Sequence, residues 1–134
     1  MTHPQTRSVV VEQDMPHPPE KVWRALTQPH LIEDWLMSND FEPVVGRPFR
    51  LQTSFGHIDC RVLTVEPPET LAYSWDALGL ESTVTWTITP TATGVRLRME
   101  QAGFRPDQDH ARRGATAGWH RFLGKLQDVL ARPD

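Results

Sequence analysis

The segment RGATAGWHRFLGKLQDVLA, Arg113 to Ala131, decides how the rest of this chain is read. Trp119, Phe122, Leu123, Leu126 and Leu130, with Val129 beside them, recur at spacings of three and four, the period of one face of an α-helix. His120, Arg121, Lys125, Gln127 and Asp128 fall mainly on the other side, which makes the segment amphipathic. At 1.5 Å per residue it would span roughly 28 Å, enough to cross a small domain. Pro133 stops it, because proline has no N–H to give to the helix ladder. So bulky a stripe needs a large apolar partner, and the upstream sequence supplies a sheet.

Ser8 to Met15 carries β-branched valines and predicts a strand. Pro16, Pro18 and Pro19 end it, and Val22, Trp23, Leu26, Leu31, Ile32, Trp35 and Leu36 then space as two short helices, about 19–27 and 29–36, broken at Pro29. After a loop rich in turn formers, Phe49, Leu51, Thr53 and Phe55 alternate with polar residues as a half-buried strand does. His57 to Glu66 is a further strand, but its alternation is too poor to name an inward face. Leu71, Tyr73 and Trp75 form the next, and Ala77 to Leu80 read as a loop. Val84, Trp86 and Ile88 face away from threonines, Pro90 to Gly94 reads as a turn, and Val95, Leu97 and Met99 alternate with Arg96, Arg98 and Glu100. A polar loop around Pro106 to His110 leads into the long helix. Short connections favour an antiparallel meander over βαβ crossovers. The expected architecture is α+β: about six antiparallel strands in a curved sheet around a long C-terminal helix, as one domain over residues 1–134, with 1–7 frayed.

The chain has 134 residues and a formal net charge of −3, without a run of like charge. That argues against a nucleic-acid partner, which would call for a basic stripe. Cys60 is the only cysteine, so no intramolecular disulfide forms and a reducing, cytoplasmic setting is expected. The N-terminus lacks the apolar core of a signal peptide, and no apolar run approaches the ~20 residues of a membrane span.

The runs PPEKVWRALTQPHLIEDWL, VVGRPFRLQ, VLTVEPPETLAYSW, STVTWTITP, GVRLRMEQAGF and GWHRFLGKL together resemble the START-like or SRPBCC superfamily with its helix-grip fold. Within it the chain looks most like the branch of activator of heat-shock-protein-90 ATPase homologue-like proteins, over about residues 8–131. The markers are Glu-Pro-Pro followed by Leu-x-Tyr-x-Trp, and Gly118-Trp119 in the last helix. The resemblance implies a cavity between sheet and helix. The superfamily's roles range over lipid carriers, hormone and allergen pockets and polyketide cyclases, so fold alone does not choose among them. Members of the branch often carry a second glycine where this chain reads Gly46-Arg47-Pro48, which stiffens that loop and adds a cation.

A single helix crossing a curved sheet rarely fills the space beneath it, so an apolar cavity of a few hundred Å³ is expected. Its candidate lining is Trp35, Met37, Phe49, Leu51, Tyr73, Trp75, Val84, Trp86, Leu97, Met99, Trp119, Phe122, Leu123 and Leu126. The competing reading is that these aromatics simply pack as a core. Gly114, Gly118 and Gly124 thin and weaken the helix, and the two short helices near 19–36 and the Gly46-Arg47-Pro48 loop are expected to form a mouth beside its N-terminal half, with Trp35 and Met37 at the rim. No histidine pair has zinc-binding spacing, and Asp107-Gln108-Asp109-His110 lies in a polar loop, so no metal and no cofactor is expected. His120 falls on the polar face of the helix. His57, Asp59 and Arg61 share a strand face that is read as outward, because buried charges are expensive. There is no Gly-x-Ser-x-Gly elbow or phosphate loop, and Cys60 reads as an inert core thiol.

The expected function is binding of a small apolar or aromatic molecule, with no catalytic residue assigned. A cyclase or aromatase would need a cavity Tyr, His or Asp. A co-chaperone-like interaction module is disfavoured because such co-chaperones carry a further N-terminal domain. Oligomeric state is left open, with a homodimer among the alternatives.

Overall fold

A computed structural model describes residues 6–133. Strand β1 (Arg7–Met15) is followed by helices α1 (Pro19–Thr27) and α2 (Pro29–Trp35), then strands β2 (Pro48–Thr53), β3 (Gly56–Glu66), β4 (Thr70–Ala77), β5 (Leu80–Thr91) and β6 (Gly94–Phe104). A 3₁₀ turn at Pro106–Gln108 enters α3, Asp109–Leu130. The strands form one antiparallel six-stranded sheet in the order β1-β6-β5-β4-β3-β2. This is the helix-grip arrangement.

Several boundaries differ from the sequence reading, each for a local reason. Residues 1–5 of the segment expected to fray lie outside the described residues, and Arg7 is already paired with Phe104. Phe55 is not a strand residue but sits at the β2–β3 tip, 67% exposed. Ala77 and Leu80 pair with each other, leaving a two-residue turn of Leu78 and Gly79, both with positive φ (52° and 83°). That is the turn type that suits a tight hairpin, though leucine is an unusual occupant of its first position. Pro90 stays in β5 because β4 starts opposite Thr87. The Ile88 N–H, two residues earlier, bonds the Glu69 carbonyl in the turn, so the missing proline N–H faces a side where the neighbouring strand has ended. The long helix starts at Asp109, within the segment read as a polar loop.

The poor alternation of β3 has a cause. The register with β4 slips between Val62 and Thr64, so Leu63 is the extra residue of a bulge. Before the slip, Ile58, Cys60 and Val62 are buried while His57, Asp59 and Arg61 are exposed. A second irregularity re-aims β6. Val95, Leu97, Met99 and Gln101 point inward, and strict alternation would send Gly103 in next. Instead Gly103 takes φ +122° and is skipped in the pairing with β1, so Phe104 turns inward and is wholly buried. A Cβ at Gly103 would stand 2.6 Å from the Glu81 carbonyl oxygen. Gly103→Ala is therefore expected to lower stability by about 1–3 kcal/mol. An unchanged denaturation midpoint would show that the bulge relaxes freely.

The core lies where the C-terminal half of α3 and the helices α1 and α2 meet the sheet. Trp35 donates its indole N–H to the Ala25 carbonyl at 2.8 Å, tying α2 to α1. Its ring meets Trp86 edge-on at 5.6 Å, and Trp86 meets Trp119 at the same spacing. Phe41, Phe49 and Tyr73 form a second aromatic group, with Phe49–Tyr73 centroids 5.3 Å apart. Among the described residues, no helix is long and apolar enough to cross a membrane.

Candidate functional site

The inward stripe of α3 changes character along its length. Ala111, Gly114, Ala115 and Gly118 sit at helical spacing on the N-terminal half, where side chains three and four apart share a face. Leu123, Leu126 and Leu130 continue the stripe and are fully buried against the sheet. Large side chains close the gap at one end of the helix, and small ones leave it open at the other. The result is a cavity of about 790 Å³ between the N-terminal half of α3 and the sheet.

Its helix wall is Ala111, Gly114, Ala115, Gly118, Trp119 and Phe122. The sheet contributes Ile58 from β3, Trp75 and Ala77 from β4, Leu80 from β5, and Gln101 and Phe104 from β6. Leu36, Met37, Gln52, Thr53, Ser54 and Phe55 lie on one side, and Leu78 and Gln108 on the other. Phe55 and Leu78, at the tips of two hairpins, are 67% and 88% exposed. Leucine in a left-handed turn position with its side chain in water gains nothing for the fold, and strain of this kind gathers at functional sites.

Of the residues named from sequence, Met37, Trp75, Trp119 and Phe122 line this cavity. Trp35, Phe49, Leu51, Tyr73, Val84, Trp86, Leu97, Met99, Leu123 and Leu126 do not; all are buried in the packed core. The opening is framed by the β2–β3 and β4–β5 hairpins rather than by Trp35, and the Gly46-Arg47-Pro48 loop contributes nothing to the wall. A separate, polar depression of about 580 Å³ on the β2–β4 side carries Asp40, Arg50, Asp59, Arg61 and Asp76. There Arg50 pairs with Asp59 at 3.2 Å, and Arg61 donates to the Gly46 carbonyl at 2.7 Å.

Sequence reasoning missed a buried polar pair, Gln101 in the wall and Ser82 bonded to it. Gln101 is 2% exposed and Ser82 6%, and they join helix to sheet in one relay. The Trp119 indole N–H donates to Gln101 Oε1 at 2.7 Å. Gln101 Nε2 donates to Ser82 Oγ at 3.0 Å, and Ser82 Oγ donates to the Trp75 carbonyl at 2.8 Å. The signal was there: extending the β6 alternation by one step puts Gln101 on the apolar face, where a polar side chain needs partners.

Among the described residues, the wall holds no Asp, Glu, His, Lys, Arg, Cys or Tyr. Tyr73 lies behind it, its hydroxyl accepting the Trp86 indole N–H at 3.0 Å, and burial pushes its pKa well above the ordinary range. Burial likewise raises the Cys60 thiol, with Asp76, Asp59 and Asp40 adding to the effect. Among the described residues, no group of three or more His, Cys, Asp or Glu side chains could hold a metal. These two shifts set a pH dependence. Both acids stay neutral when folded but ionise near 9.0 and 10.0 under ordinary conditions. Their stabilising contribution is therefore complete below about pH 9 and is lost as pH rises beyond it. Stability should fall in alkali, less so in Cys60→Ala, and Cys60 should alkylate slowly at neutral pH. Rapid stoichiometric alkylation of the folded protein would contradict this placement.

A curved sheet gripping one helix around a lateral apolar cavity defines a START-like protein of the SRPBCC type. More narrowly, the chain belongs to the family described as activator of Hsp90 ATPase homolog 1-like protein, whose model matches residues 16–131. Among solved structures, protein MLL2253 from Mesorhizobium loti is 56% identical, with a TM-score of 0.93 over 96% of this chain and 99% of that one. CalU16 from Micromonospora echinospora is 26% identical, with a TM-score of 0.83 over 94% of this chain and 77% of that one. DynU16, of the dynemicin biosynthetic locus, is 28% identical with a TM-score of 0.83; 92% of this chain matches 46% of that longer one. No curated protein matches.

Proposed function

We propose that this chain, as one domain, binds a small and mostly apolar molecule in the cavity beside the N-terminal half of α3. The observation that carries the reading is the stripe Ala111, Gly114, Ala115, Gly118, which keeps about 790 Å³ open beside Trp75, Trp119 and Phe122. A protein core is normally close-packed, with few voids larger than a water, so a volume of this size with aromatic walls fits a ligand site. The likeness to a protein of a biosynthetic locus agrees with a role in handling small molecules. A cyclase-type reaction would need a titratable group to move protons, and the wall offers only amides and hydroxyls. That favours binding over catalysis. An interaction module would call for a contiguous exposed apolar patch. On the outer face of the sheet the exposed Val10 and Leu63 are separated by β6, β5 and β4, and the exposed Phe55 and Leu78 border the cavity itself.

Titration with a neutral environment-sensitive dye such as Nile red, and with planar aromatic and acyl compounds, tests this directly. Saturable binding to the folded protein, with quenching of tryptophan emission from Trp75 and Trp119, is expected. Flat signals for every compound would remove the ligand-binding reading.

A further inference from the structure

We infer that the cavity selects a neutral ligand carrying one hydrogen-bond acceptor, such as a carbonyl oxygen, and that Gln101 Nε2 is the group that reads it. This rests on the cavity being a binding site. An indole N–H only donates, so the Gln101 atom facing Trp119 is its oxygen. The amide orientation is thereby fixed, and Nε2 faces Ser82. Ser82 has given its own proton to the Trp75 carbonyl, so it accepts one of the two Nε2 hydrogens. Among the described residues nothing accepts the other. Gln101 is 2% exposed and lines the cavity, and a buried donor left unmade is costly.

The relay thus leaves a spare donor on a buried side chain of a mostly apolar wall, whose other polar members are Gln52, Thr53, Ser54 and Gln108. Trp75 and Trp119 stand beside it in tilted contact, ring centroids 5.2 Å apart, and give a ligand an aromatic surface to lie against. Charge is selected against. Among the described residues no cationic side chain lines the wall, and an unpaired carboxylate would lose its hydration there.

The test uses the full chain with 2-acetylnaphthalene, its near-isostere 2-isopropenylnaphthalene and 2-naphthoate. Both neutral compounds should bind the native protein, and naphthoate at least tenfold more weakly than the ketone. Gln101→Met, which also frees the Trp119 indole N–H, should weaken the ketone about tenfold more than it weakens the alkene. The carbonyl stretch of ¹³C-labelled ketone bound to native protein should lie below its value in an alkane solvent. That spectrum needs no variant, so an unshifted carbonyl overturns the proposal even if Gln101→Met fails to fold. Binding of both neutral compounds with an unshifted carbonyl would overturn the role of Gln101 and leave the cavity standing. Tighter binding of naphthoate would overturn the charge selection. Binding of none would overturn the cavity reading and this one together.

Discussion

Trp86→Ala is expected to destabilise the protein by about 3–5 kcal/mol, the range for truncating a buried aromatic. Trp86 is 1% exposed and sits at the crossing of three elements. It meets Trp35 of α2 and Trp119 of α3 edge-on, each at 5.6 Å. Its indole N–H also satisfies the Tyr73 hydroxyl at 3.0 Å. Removing the ring opens a cavity that the surrounding sheet cannot collapse into, and it strips the Tyr73 oxygen of its donor. Trp86→Phe should recover much of the packing but not that hydrogen bond, and so fall between the two. Denaturant melts measure both. A loss below about 1 kcal/mol for the alanine variant would mean that this aromatic contact does not hold helices to sheet.

The position of Trp86 was legible in the sequence because strict alternation in Val84-Trp86-Ile88 against threonines leaves only one inward face. The same logic gave the long helix, the helix pair broken at Pro29 and the antiparallel meander of β2 to β6, but not the place of β1 beside β6. It failed where the backbone departs from period two. At Leu63 and Gly103 an extra residue shifts the face, and a bulge has no reliable signature in composition. The turn at Leu78-Gly79 was hidden because leucine stands where asparagine or glycine would have announced a tight hairpin. The candidate site was read too broadly for a different reason. Periodicity tells which side chains point inward, but not whether two inward surfaces touch. Leu97, Met99, Leu123 and Leu126 point inward and meet other side chains, whereas Trp75 and Phe122 also point inward and border open space. What separates them is side-chain volume along α3, and that could have been read from Ala111, Gly114, Ala115 and Gly118.

That volume argument makes the sharpest test of the site. Gly118→Leu should abolish ligand binding, weakening it on the order of a hundredfold, while the protein melts at the same temperature or higher. A Cβ at Gly118 would have no neighbour nearer than 3.9 Å, and one at Gly114 would have none within 4 Å, so a β-carbon fits at either position and the rest of the side chain has the cavity to fill. Helical leucine leans toward the helix N-terminus, which carries it over Gly114 and Ala115 into the open volume. Replacing a helical glycine also removes a penalty of about 0.8–1 kcal/mol, and an unlowered melting temperature excludes a folding defect as the cause of lost binding. Gly124 provides the control. It is exposed and outside the cavity wall, so Gly124→Ala should raise stability by a similar amount and leave dye and ketone affinities unchanged. If Gly118→Leu instead binds Nile red as tightly as the native chain, the dye occupies another surface. The space beside α3 would then be a packing defect of the fold rather than its binding site.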